Sequence, residues 1–192
     1  MVVNSFDMRK KDVLSKLDKS SIGEWDAKIS GLCVDINKNK NYYTTSSCSG
    51  RILLMIEQDK KAEGLFLKVY HDIVDFNKFI LDLKEVVETS LGKKLIVKFK
   101  QEPAILHIAC RDLKSAEVLI RKAQVCGWKR SGMISFGSRF ILELLNTERL
   151  EFPVVDCGKV LVGDEFLSRC IEKGNENLRK NWEKIERLRK LV

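Results

Sequence analysis

The sequence predicts an α+β fold in which an antiparallel sheet carries helices packed on one face. Three observations support this. Apolar residues recur at helical spacing in several separated segments. Between them lie short runs rich in β-branched and aromatic residues, broken by glycine or polar turns. No GxGxxG follows an expected strand, so the sequence mark of a doubly wound, dinucleotide-type cofactor fold is missing.

Residues 5–19 set Phe6, Val13, Leu14 and Leu17 among lysines and aspartates, which predicts a short amphipathic helix broken by Ser20–Gly23. A second helix is expected from Glu24 to Asn37, with Trp25, Ile29, Leu32, Cys33 and Ile36 on one face. Two extended segments follow, Tyr42–Ser47 and Arg51–Glu57, joined through Cys48-Ser49-Gly50 as a tight hairpin in which glycine supplies the backbone freedom. A lysine-rich turn, Gln58–Gly64, leads to a strand over Leu65–Tyr70. The helix expected from Asp75 to Ser90 has Asp75 as its N-cap and Gly92 as its stop. Its apolar face is Phe76, Phe79, Ile80, Leu83 and Val87.

Strands Leu95–Gln101 and Ile105–Ala109 flank the Glu102-Pro103 turn. The helix Arg111–Cys126 uses Leu113, Ala116, Leu119, Ile120 and Ala123 and ends at Gly127. Strands near Gly132–Phe136 and Phe140–Leu145 again flank a glycine turn. A long charged helix is expected over Glu165–Leu191, with Phe166, Cys170, Leu178, Trp182, Ile185 and Leu188 as its stripe. A helix–strand–strand unit recurs over 24–57, 75–109 and 111–145, in pattern rather than in letters. The 192 residues are expected to form a single domain.

Composition narrows the class of function. With 44% hydrophobic and 32% charged residues the chain reads as globular, and no apolar run approaches the ~20 residues that span a bilayer. The amino terminus has no apolar stretch of signal-peptide length, so a cytoplasmic protein is expected. Six scattered cysteines with no CxxC pair and only two histidines argue against a structural zinc site, and most read as small core thiols. A net charge of +8 favours polyanionic partners, nucleic acid first and an anionic membrane surface second.

Within this frame Thr44–Arg51, TTSSCSGR, crowds small hydroxyl and thiol side chains into one segment closed by glycine and a guanidinium. Hydroxyls at a strand end can cradle phosphate, carboxylate or a sugar edge, and arginine can clamp an anion with two parallel hydrogen bonds. An ordinary polar hairpin has the same composition. The segment has no GxSxG elbow, and Cys48 has no base beside it in sequence. His71-Asp72 closes a strand where a loop begins, a place for a proton acceptor or anchor and equally for a surface pair. His107 alternates with Ile105 and Ala109, and the sequence does not choose its face. Trp128, Lys129, Arg130 and Ser131 join a helix to a strand; such a loop can stack on a base and neutralise phosphate, or tuck Trp128 into the core. The lysines at 93, 94, 98 and 100 fit either a nucleic-acid track or a solvated strand face.

Together these pieces resemble the tRNA wybutosine-synthesising protein 3 family. The stretch YYTTSSCSGRI, Tyr42–Ile52, is similar to its most distinctive motif. Asp18, Ser20, Gly23 and Asp26 stand where the family has its D-x-S-x-K-G-x-x-D lead-in, and His71 resembles the family histidine after a strand. Gln101–Gly132 resembles its E-P-x-I-L-H-V-x-C…A…G-F-R-x-S-G block. Ile22 replaces the usual lysine, and the stretch before His71 lacks the usual tryptophan.

The resemblance implies methylation of a ring nitrogen of a wyosine-type base beside the anticodon of phenylalanine tRNA, with S-adenosylmethionine as donor. On that reading Ser47, Ser49 and Arg51 bind the donor or a tRNA phosphate. His71 is base or anchor with Asp72 orienting it, and Trp128, Arg130 and Ser131 engage the anticodon loop; no metal is implied. The alternatives are a non-catalytic RNA-binding or donor-binding paralogue, or an interaction domain using the carboxyl helix.

Overall fold

The computed structural model describes residues 5–16, 25–58 and 64–192. Leu17, the Ser20–Gly23 break, the lead-in residues Asp18, Ser20, Ile22 and Gly23, and the middle of the lysine-rich turn lie outside the described residues. In order the elements are α1 (Ser5–Leu14), α2 (Ala27–Lys38), β1 (Tyr42–Cys48), β2 (Arg51–Ile56), β3 (Phe66–Tyr70), α3 (Phe76–Ser90), β4 (Ile96–Glu102) and β5 (Ile105–Cys110). They continue with α4 (Leu113–Val125), β6 (Gly132–Ser135), β7 (Phe140–Leu145), β8 (Leu150–Asp156), β9 (Lys159–Val160) and α5 (Asp164–Arg189). The α+β class holds, every pair of neighbouring strands is antiparallel, and the strands form two sheets.

The chain divides into two compact units. One comprises residues 1–49, 104–147 and 181–192, the other 50–103 and 148–180. The first unit holds the sheet β1-β5-β7-β6. Alternation sends Leu106, Ile108, Leu142 and Leu144 into a core shared with α2, α4 and the last turns of α5, through Ile29, Leu32, Leu119, Ile185 and Leu188. On the opposite face α1 lays Phe6 against Tyr43 and Ala109. The second unit holds β3-β2-β4-β8-β9. There an aromatic run links Tyr70, Phe79, Phe99, Phe152 and Phe166, carrying α3 and the start of α5 on one face of the sheet. Gly174 of α5 sits where an added Cβ would come within 2.9 Å of the Ile52 side chain, so helix and strand approach closely.

The expected β1–β2 hairpin does not form. β1 pairs with β5, whereas β2 pairs with β3 and β4, so the strands belong to different sheets. Gly50, at φ +94°, is the step by which the chain leaves one sheet for the other. β4 and β5 part in the same way beyond Glu102-Pro103, and of the three expected strand pairs only β6–β7 is a true hairpin. Strand β8 carries Pro153, which argues against a strand in sequence; here it sits beside a register shift opposite Lys98, where a missing N–H is tolerated.

Candidate functional site

The Thr44–Arg51 segment spans the end of β1 and the start of β2, and each of its polar residues has a different local fate. Ser49 is wholly buried in the first unit. Its N–H donates to Asp26 Oδ2 at 2.8 Å and its hydroxyl to the same oxygen at 3.2 Å. Asp26 stands at the N-cap position of α2 yet makes no side-chain cap bond to its own helix, because its carboxylate is turned toward this loop. Ser49 therefore fixes the turn instead of presenting a free hydroxyl. Ser47 pairs in register with Leu106 on the core side of the sheet, and its buried Oγ has no hydrogen-bond partner.

Ser46 faces the other way because of a bulge. Strict alternation from Tyr43 would set Thr45 and Ser47 on the face of Ala109 and His107. The register shifts between Thr44 and Ser46, Thr45 is the extra residue, and Ser46 falls opposite His107. Ser46 Oγ lies 2.8 Å from His107 Nδ1, and His107 Nε2 lies 2.9 Å from Glu143 Oε2 on β7. A carboxylate only accepts, so in the neutral ring Nε2 carries the proton and Nδ1 accepts the Ser46 hydroxyl. Thr45 secures the bulge by donating to the His107 carbonyl at 3.3 Å. Ser46 is exposed, and the His107 and Glu143 side chains are 28% and 30% exposed, so the chain of groups ends in a hydroxyl that solvent reaches.

Arg51 opens β2 in the second unit. Its Nε donates to Glu102 Oε2 at 2.7 Å, and its guanidinium lies 4.8 Å from the centroid of the Phe66 ring. Lys100 bonds the other oxygen of Glu102. Burial pushes the Glu102 carboxyl up, but Arg51 and Lys100 together outweigh it and hold the group below its ordinary range. Lys98, in the same strand, is paired with Glu57 and Glu151, so these two expected RNA-tracking lysines are already engaged by carboxylates.

His71 and Asp72 form the bend after β3, with His71 half-buried and Asp72 exposed. Asp72 Oδ1 accepts the N–H of Ile73 at 2.7 Å. The stretch that follows is clamped from α5, because Asn175 accepts the Val74 N–H at 3.1 Å and donates to the Val74 carbonyl at 2.8 Å. Tyr70, just ahead of His71, donates to Asp82 at 2.6 Å, and burial together with that carboxylate pushes its hydroxyl well up.

Trp128 is a correction to the expected substrate contact. Its side chain is fully buried in the first unit's core and its indole N–H reaches the Lys184 carbonyl, which leaves no ring face for a base. Ser131 donates to the Trp128 carbonyl and accepts the Leu145 N–H, so it too holds the loop. Lys129 and Arg130 remain exposed at the tip. The core reading holds for Cys33, Cys110 and Cys126, which are buried; burial, with Asp112 nearby, pushes the Cys110 thiol up to about 12.

The three sequence motifs thus meet in pairs within each unit: Asp26 with Ser49, Ser46 with His107, and Arg51 with Glu102. Sequence reasoning did not assign Ser46, Glu143, Asp26, Glu102 or Asn175. Asp26 and Glu102 lie inside the stretches that resemble family motifs, whereas the bulge that selects Ser46 leaves no signal in the letters.

The family model described as methyltransferase TYW3 matches residues 8–192. A relative in Archaeoglobus fulgidus, named tRNA(Phe) 7-((3-amino-3-carboxypropyl)-4-demethylwyosine(37)-N(4))-methyltransferase, is 37% identical over 160 residues, covering 82% of this chain and 77% of its own. A protein of the same name in Thermococcus sibiricus is 32% identical over 96% of this chain and 92% of its own. Among solved structures the PH1069 protein from Pyrococcus horikoshii superposes with a TM-score of 0.84 at 32% identity, covering 96% of this chain and 92% of that one.

Proposed function

Because this chain belongs to the methyltransferase TYW3 family, we propose that it transfers a methyl group from S-adenosylmethionine to a ring nitrogen of a demethylwyosine-type base next to the anticodon of phenylalanine tRNA. The observation that carries this reading is the pairing of Thr44–Arg51 with the other motifs, which ties Ser46, Ser49 and Arg51 to His107, Asp26 and Glu102. Methyl transfer is an in-line displacement at a sulfonium carbon, and aligning two reactants can supply about 7–11 kcal/mol of the barrier. Hydroxyls, a cation and imidazole suffice for that task without a metal.

In this proposal Arg51 and the unpartnered Ser47 hydroxyl engage the donor's amino-acid or ribose part, or a tRNA phosphate, on a turn held by Ser49. His71 supplies an anchor or base, with Asp72 beside it. Arg130 meets the anticodon loop from a support built by Trp128 and Ser131, because exposed bases and phosphates of loops are what proteins read in RNA. The family match runs through both units, which supports treating them as one functional domain. Among the described residues no helix is long and apolar enough to cross a membrane, and in this proposal the chain meets its tRNA in the cytoplasm.

Two measurements test the reading. Calorimetry with S-adenosylmethionine and its demethylated product should show binding of both, and Arg51→Ala should weaken it. Mass spectrometry of phenylalanine tRNA from cells lacking the gene should show a base lighter by one methyl group. An unchanged tRNA would leave a donor-binding or RNA-binding paralogue without this activity.

A further inference from the structure

We propose that Ser46, His107 and Glu143 form a proton relay that removes the ring-nitrogen proton during methyl transfer. This rests on the methyltransferase reading above. A ring nitrogen that begins as N–H and ends as N–CH3 must lose a proton, and nothing in the displacement at the sulfonium carbon provides for it.

The geometry provides a route. In its neutral form the His107 ring donates through Nε2 to Glu143 and accepts the Ser46 hydroxyl at Nδ1, over 2.9 and 2.8 Å. Ser46 is the outermost of the three and is exposed, so it is the group that can touch a substrate. As the nitrogen attacks the methyl carbon, the carbon–sulfur bond breaks and its electron pair stays with the departing thioether. The nitrogen's proton passes to Ser46 Oγ while the Ser46 proton passes to His107 Nδ1. The ring becomes imidazolium, held against the Glu143 carboxylate, and later returns its proton to solvent. Ser46 is the catalytic residue; His107 and Glu143 act through it.

Two features separate this arrangement from an incidental polar patch. The neighbours of His107 along its strand face, Ile105 and Ala109, are apolar, so the imidazole and its two partners are an inserted polar group. The Thr45 bulge is what brings a hydroxyl into register with it, and bulges recur where a side chain must be re-aimed. His71 is then left as an anchor.

The test uses the full chain, S-adenosylmethionine and phenylalanine tRNA carrying the demethylated base, with single-turnover rates and donor and tRNA affinities measured separately. His107→Ala should lower the rate by about 10²–10⁴-fold with affinities unchanged, and added imidazole should restore part of it. Ser46→Ala should lose rate without rescue by imidazole, whereas Ser46→Thr, which keeps the hydroxyl, should stay within a few-fold of wild type. An active wild type alongside a His107→Ala variant of equal rate, or alongside Ser46→Ala of equal rate, overturns the relay and leaves the methyltransferase reading standing. Loss of rate in His107→Ala with no response to imidazole, in a variant that melts as the wild type does, also overturns it. A wild type that methylates nothing sinks both.

Discussion

Arg51 shows how a residue can be legible in sequence while its circumstances are not. TTSSCSGR advertises a cation at the end of a hydroxyl-rich run, but its partner lies 51 residues away. Glu102 is three-quarters buried, at 25% exposure, and keeps its charge because Arg51 and Lys100 flank it. Its folded carboxyl lies below its ordinary value of 4.5, so the stabilisation is fully present above that value and is lost as pH falls through the lower, folded one. Arg51→Met removes the strongest opposing charge, so the loss should begin at a higher pH than in wild type. Melting temperatures across the acid range check this, and coincident acid limbs would refute it. A double-mutant cycle of Arg51→Met with Glu102→Gln should return a coupling of about 0.5–3 kcal/mol. Trp128 makes the converse point. A tryptophan between glycine and two basic residues looks like a stacking platform, yet nothing in the letters says that its ring lies in the core formed by α2, α4 and the end of α5.

At the scale of elements, periodicity found the helices and most strands within a few residues, because each is set by local alternation of apolar and polar side chains. Strand partners were not legible. Tyr42–Ser47 and Arg51–Glu57 look like two arms of a hairpin, but a short glycine-containing link serves equally to carry a chain between sheets, and only packing decides. The same limit hid α5's second role. The later part of its apolar stripe, Leu178, Ile185 and Leu188, was visible, but near its start Leu167 and Ile171 are buried where Phe166 and Cys170 were expected, and nothing in the letters marks Asn175, Asn177 and Asn181. In the structure they are buried, and each bonds a different segment: the Val74 backbone, Gln101 and Asn146. Asn175 bonds both polar groups of Val74, and Asp75 then caps α3 by accepting from Asn77 and Lys78. Together they fix the stretch after His71. Asn175→Ala leaves a buried N–H and C=O unpaired and should cost about 1–3 kcal/mol, with faster hydrogen exchange at Val74. Asp75→Ala should cost about 1 kcal/mol, read as frayed exchange at the first turn of α3 alone. Equal protection of Val74 in wild type and Asn175→Ala would remove the clamp.

At the scale of the whole molecule, the +8 charge says that a polyanion is a favoured partner but not which cations meet it. The structure sorts them. Lys98 and Lys100 are held by Glu57, Glu151 and Glu102, and Arg111 is held by Asp7 and stacked on Phe6. A cation already paired with a carboxylate brings little net charge to a phosphate and releases few counterions from it. Arg130 and Lys129 stand exposed on a loop held by the hydrogen bonds of Trp128 and Ser131, so they are the better candidates for contacts with the anticodon loop. Each phosphate contact to a single-stranded region steepens the fall of log affinity with log salt by about 0.7. Arg130→Ala should therefore weaken binding to phenylalanine tRNA and flatten that slope by roughly this amount, measured by fluorescence titration over a range of salt. Lys98→Gln should leave the slope unchanged. If the two variants flattened it equally, the carboxylate pairs around Lys98 would have to open on binding, and the charged face of the second sheet would become part of the RNA surface.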